Sequence, residues 1–260
     1  MREPVLVEKP KKKLRRAAYA LATVAIVVLL LVVQPAWLAR GFARAFPGIV
    51  WQVDTDLPVI ALTFDDGPVP TYTPQVLELL KRYNAKATFF LIGEHARQHP
   101  ELVARIRAAS HEVSNHTDSK ATTFYMSAKP FEASLVRAEE TLGLSSEAGT
   151  NDGKMQTGSG RKLLRPAGGF IHSSQLVLAK RRGYTCVLGS AYAFDPQSPS
   201  VAYIRWAISK NLRPGTIVVL HDAGGNRSKT VAALGGILAE ANKKGLRSVT
   251  VSELLAAGKK

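Results

Sequence analysis

A single cysteine, Cys186, stands among 260 residues, which excludes an intrachain disulfide framework and any metal site built from several thiolates. Set in the apolar run TCVLGS, it reads as a small buried hydrophobe. Aromatic residues make up only 7% of the chain and do not interleave with the basic residues in the stacking pattern that single-stranded nucleic acid needs. No heptad and no internal repeat is evident, so coiled-coil and solenoid architectures fall away. Acid is also scarce: 20 Asp and Glu face 35 Lys and Arg, for a net charge of +15. Residues 1–40 hold eight basic and two acidic residues, which leaves +9 of that +15 on the remainder. There the cations are scattered through amphipathic segments, so no nucleic-acid partner is expected. A basic surface of this kind suits an anionic wall or lipid, through an attraction that salt weakens.

What is present begins with KPKKKLRR at residues 9–16, followed from Ala17 to Val33 by a run whose only polar members are Tyr19 and Thr23. As a helix, Ala17–Leu38 would extend about 33 Å, enough to cross hydrocarbon. The basic cluster precedes the run, which predicts a single-pass membrane protein with its N-terminus in the cytoplasm and the rest on the extracytoplasmic side. A cleaved signal peptide is the competing reading; the run is long for a signal core, which favours a retained anchor with the lipid bilayer as a partner. The expected organisation is a basic tail over 1–16, an anchor over 17–38, a juxtamembrane connector over 39–56 and one catalytic domain over 57–257.

From Leu57 onward, short apolar runs alternate with helical stripes: VIALTF, ATFFLIG, EVSNH, KLLRP, YTCVLG, TIVVLHD and SVTV. Strands separated by helices predict a mostly parallel sheet with helices outside it. About seven of them suggest a closed or nearly closed (β/α) barrel. Thr73 reads as an N-cap with Pro74 at the first helical position. Ser228 reads as the cap of a helix with the stripe Val231, Leu234, Leu238 and Ala241. Residues 145–162, polar and Gly-rich, read as a surface loop.

Chemistry-bearing residues cluster at strand ends, where parallel barrels place their active sites. In TFDDGP, Asp65 and Asp66 stand side by side, costly unless a cation or an arginine offsets them; a turn-capping pair is the bland alternative. In SNHTDSK, His116 suits a metal ligand or an acid-base group, or a histidine satisfied by nearby backbone. Arg165 closes the strand of LLRPAGG, where small residues let backbone approach a ligand. Asp195 lies in SAYAFDP. In VVLHD, His221 faces the expected barrel mouth, where a neighbouring carboxylate favours its protonated form, and Asp222 reads as a turn or cap. His95, His99, His111 and His172 carry no expected role.

In order, TFDDGP, NHT, RPAGG, FDP and LHD resemble the motif series of the polysaccharide deacetylases, carbohydrate esterase family four or the NodB homology domain, over roughly Pro58–Leu255. The resemblance implies a distorted (β/α) barrel and metal-assisted removal of N-acetyl groups from an amino-sugar polysaccharide, chitin-like or peptidoglycan-like. It implies Asp65 as general base, Asp66 and His116 as ligands of a divalent metal such as zinc, and the backbone near Gly168 as oxyanion donor. Arg165 would orient Asp65, His221 would protonate the departing amine, and Asp195 would tune His221.

The chain departs from the family where a second histidine usually follows His116 by four residues: Lys120 stands there, and an ammonium has no lone pair for a metal. Three accounts are open. Asp118 or another oxygen ligand completes the site; Asp66, His116 and waters hold metal loosely; or catalysis is lost and the domain is a membrane-anchored glycan-binding module. The match at Asp65, Arg165, Asp195 and His221 favours the enzyme. Ala167 and Gly168 also replace the family's more usual Pro and aromatic, which implies a more open floor, and no tryptophan follows Asp195.

Overall fold

The computed structural model describes residues 10–33, 36–144, 161–198 and 200–259. The chain forms two compact units, Met1–Pro35 and Ala36–Lys260. In the first, α1 runs Pro10–Val33 and takes the cationic Lys11–Arg16 segment into its opening turns. A second helix, α2 at Ala36–Ala45, carries Arg40 and Arg44 and belongs to the other unit. Phe42 of α2 stacks on Trp51 with ring centroids 5.1 Å apart. The last described residues of the expected span 17–38, 36–38, lie in this charged, amphipathic helix. Among the described residues no helix is long and apolar enough to cross a membrane. The expected loop at 145–162 lies outside the described residues as far as residue 160.

The larger unit continues in chain order with β1 (Ile49–Val50), β2 (Val59–Asp65), α3 (Thr73–Arg82), β3 (Ala87–Leu91), α4 (Gly93–Gln98), α5 (Pro100–Ala108) and β4 (Glu112–Asn115). Then come α6 (Ala128–Thr141), β5 (Lys162–Leu164), α7 (Ser173–Arg181), β6 (Tyr184–Val187) and β7 (Ala191–Tyr192). The chain closes with α8 (Val201–Ser209), β8 (Ile217–His221), α9 (Ser228–Lys243), β9 (Arg247–Val249) and α10 (Val251–Ala256). The strand order is β1-β6-β5-β4-β3-β2-β8-β7, with β9 added beside the first half of β2, and these strands all pair in parallel. All seven expected strands form; the two-residue β1 and β7 were not foreseen. Only Leu188–Ser190 separates β6, near one end of the sheet, from β7 at the other. At about 3.5 Å per residue such a link spans at most about 14 Å from Val187 to Ala191, so the sheet curls into an incompletely paired barrel.

Strand periodicity sorts the side chains. Ile60, Leu62 and Phe64 of β2 join Leu91, Val113, Val218 and Leu220 in the large cluster beneath α3, α5, α8 and α9. Val59 and Ala61 instead meet Phe90, Leu163, Val187 and Ile217 inside the barrel. Continuing the inward row by twos leads from Val59 to Asp65, from Glu112 to His116, from Leu163 to Arg165 and from Ile217 to His221. The apolar layer below thus sets four polar residues at one mouth.

Local capping differs from expectation at two helices. Thr73 opens α3 without capping it and instead accepts from Val69 N at 2.8 Å and donates to Asp222 Oδ2 at 2.5 Å. Asn226 Oδ1, not Ser228, accepts the Ser228 N–H at 2.9 Å ahead of α9. At α10, Thr250 and Glu253 form a reciprocal capping box, a device that satisfies two otherwise orphaned donors.

Candidate active site

The Asp65–Asp66 pair follows an entirely buried strand, so its charges need partners. Asp65 Oδ1 accepts from Arg165 Nη1 at 2.6 Å. The same guanidinium donates to Thr63 Oγ1 at 2.6 Å and, through Nε, to Val187 O at 3.1 Å, and it lies 4.2 Å over the Phe90 ring. Arg165 is 2% exposed and fills the barrel interior beneath Asp65. No donor among the described residues bonds Asp65 Oδ2, which is left facing the mouth.

Asp66 turns away from Asp65 because its backbone is left-handed, φ 74°, a conformation that Asp tolerates better than most residues. Its main-chain carbonyl accepts from His95 Nδ1 at 2.6 Å, a contact the sequence did not suggest. The carboxylate then faces His116 Nε2 at 3.5 Å and Lys120 Nζ at 3.3 Å. His116 Nδ1 donates to Arg165 O at 2.8 Å, and Nε2 is the ring nitrogen turned toward Asp66. Burial acts to raise the Asp66 pKa, but His116, His221 and Lys120 outweigh it and hold the carboxyl well below the usual range.

Across the mouth, His221 Nδ1 donates to Asp195 Oδ1 at 2.8 Å, and Asp195 Oδ2 accepts from His221 N at 3.0 Å and Thr230 Oγ1 at 2.8 Å. Burial works against the imidazolium, yet the bond and charge of Asp195, with Asp65 and Asp66 nearby, raise its pKa above 6.5. Asp222, expected as a turn or cap, is fully buried behind the site, where burial pushes its carboxyl up to about 7 despite the bond from Thr73. Gly168 sits in the short turn Ala167–Gly169 after Arg165 with φ 80°.

One sequence expectation is corrected and another is narrowed. Asp118 is no ligand: Arg97 Nη1 takes Oδ1 at 2.6 Å and Arg137 Nε takes Oδ2 at 2.9 Å. Those arginines hold its pKa below the ordinary value against the opposing effect of burial. The divalent-metal site is not assembled either. His116 and Asp66 are spaced as two ligands of one ion would be, but an ammonium occupies the third side, and among the described residues no group of three or more His, Cys, Asp or Glu side chains converges. These donors do not fit a three-ligand cation. The four unassigned histidines divide: His95 joins the site, while His111 is buried, its pKa pushed down to about 4 by burial and by Lys86.

At the mouth of a curled parallel barrel, an arginine-paired aspartate and an aspartate-paired histidine form a base-and-acid pair of the kind hydrolytic sites use. The polysaccharide deacetylase family model matches residues 52–187, and the chain belongs to that family. It is 42% identical over 213 residues to a peptidoglycan-N-acetylglucosamine deacetylase of Bacillus cereus, covering 80% of this chain and 92% of the relative. A chitooligosaccharide deacetylase of Sinorhizobium fredii is 30% identical over 201 residues, covering 74% and 89%. Among solved structures, the Bc1960 peptidoglycan N-acetylglucosamine deacetylase superposes with a TM-score of 0.73 at 29% identity, covering 84% of this chain and 98% of that one.

Proposed function

We propose that the protein hydrolyses the N-acetyl group of N-acetylglucosamine units in a peptidoglycan-like polymer, with Asp65 and His221 as the proton-transfer pair. The observation that carries the reading is the paired arrangement at one mouth: Arg165 fixes Asp65, and Asp195 fixes His221. The relatives of this chain named as peptidoglycan and chitooligosaccharide deacetylases support the substrate class. Such a polymer lies outside the cytoplasmic membrane, in accord with the basic residues that precede the apolar run.

In this mechanism water approaches the acetamide carbon while Asp65 Oδ2 takes its proton. The new C–O bond gives a tetrahedral oxyanion, for which the backbone of the Ala167–Gly169 turn offers donors. Its collapse breaks the C–N bond, and His221 passes a proton to the leaving nitrogen, so acetate and a free amine result. Asp65 returns its proton and His221 regains one through solvent. Acetate release by the full chain from an N-acetylglucosamine oligomer tests the reading; release indistinguishable from buffer would sink it.

The pH profile follows from His221. It must be protonated, so activity falls on the alkaline side as pH passes its raised pKa. In Asp195→Asn the negative partner is gone and the imidazolium loses its stabilisation. The alkaline limb of kcat is expected to move to lower pH, with KM little changed; an unmoved limb speaks against His221 as the acid.

A further inference from the structure

Both oxygens of Asp66 are engaged, Oδ1 toward His116 and Oδ2 toward Lys120 Nζ. The ammonium is seated, since Gly224 O also accepts from it at 3.2 Å. Gly224 has φ 80°, and a Cβ there would stand 2.2 Å from Lys120 Nζ and 2.4 Å from Asp66 Oδ2. Only a residue without a side chain lets the lysine and the aspartate meet, so the loop after β8 is shaped around their pair. The remaining carboxylates at the mouth have partners of their own, Asp65 in Arg165 and Asp195 in His221. A divalent ion arriving here would find one imidazole, one carboxylate already shared, and a positive charge in its path.

We propose that the Lys120 ammonium is the built-in cation of this centre: it takes the place on Asp66 that a divalent ion would need, keeps that ion out, and offers its remaining N–H to the acetyl carbonyl oxygen. An ammonium carries three N–H donors; Gly224 O accepts one, and Asp66 is its ion-pair partner. Lys120 is about half exposed, so the third is open to a substrate bound at the mouth. There it would meet the charge that develops on oxygen as water adds to carbon. The catalytic half of this inference rests on the deacetylase reading; the exclusion of metal does not.

The test separates the two. Full-length protein, stripped with chelator and dialysed, is titrated with zinc by calorimetry beside Lys120→His and Lys120→Gln. Lys120→His supplies an imidazole four residues after His116 and is expected to bind one equivalent about 100-fold or more tighter than the parent chain. A parent chain that takes one equivalent with an affinity inside that factor overturns the proposal. Should Lys120→His fail to fold by circular dichroism, Lys120→Gln decides: removing the charge is expected to strengthen zinc binding, and unchanged binding overturns the proposal. Acetate release by the parent chain is expected to be equal in chelator and in zinc. Release only with zinc overturns metal exclusion and leaves the deacetylase reading standing. No release in either, with zinc binding as expected, removes the deacetylase reading and supports the exclusion.

Discussion

Asp65→Asn is expected to lower acetate release by about 10³-fold, within the usual contribution of a positioned general base, while the circular dichroism spectrum stays that of a folded chain and the unfolding midpoint falls, since the buried Arg165 loses its counter-charge. The asymmetry comes from which atom is used. Oδ1 only accepts from Arg165, and an asparagine carbonyl oxygen accepts from the same donor, so the buried guanidinium keeps a partner. Oδ2 becomes an amide nitrogen, which cannot take a proton from water at neutral pH. The loss should therefore appear in kcat, with KM unchanged, because binding of the glycan does not draw on that atom. If Asp65→Asn keeps a tenth or more of the parent rate, another base operates and the assignment fails.

Both the barrel and the positions of Asp65, His116, Arg165 and His221 were legible because one rule governs them. Alternation along an apolar strand fixes which side chains face inward, and the last inward residue of a parallel strand stands at the mouth. Short elements escaped that rule: two residues of β1 or β7 carry no period, and SVTV divides between β9 and the cap of α10 at Thr250. Contacts between segments distant in sequence were harder still. Asp118 stands two residues from His116 and invited a role as ligand, yet the fold brings Arg97 from α4 and Arg137 from α6 to its two oxygens. Nothing local marks Gly224 as the seat for Lys120, since its need for a bare Cα arises from residues more than a hundred positions away. Asp222 does open a bend, but its full burial and its bond from Thr73 on α3 have no local mark in the sequence.

Arg165→Leu is expected to cost more stability than any single change at the mouth, about 3–5 kcal/mol, because it leaves the buried Asp65 carboxylate without its cation. Arg165 is the largest fully buried side chain among the described residues, and it ties β2, β3, β5 and β6 together through Asp65, Thr63, Phe90 and Val187 O. Leucine keeps part of the volume and none of the donors. For a unit of this size such a loss lowers the thermal midpoint by roughly 10 °C. The double replacement Arg165→Leu with Asp65→Leu removes both charges together and is expected to recover much of the midpoint, since an apolar pair in place of a buried ion pair is often neutral, but none of the activity. Arg165→Lys should fall between, because a single ammonium cannot reproduce the planar fork that reaches Thr63, Asp65 and Val187 O at once. The native arrangement already carries a cost, for Arg165 Nη2 is a buried donor without an acceptor. A double variant no more stable than Arg165→Leu would show that the guanidinium holds the barrel together by packing, and that its hold on Asp65 is incidental.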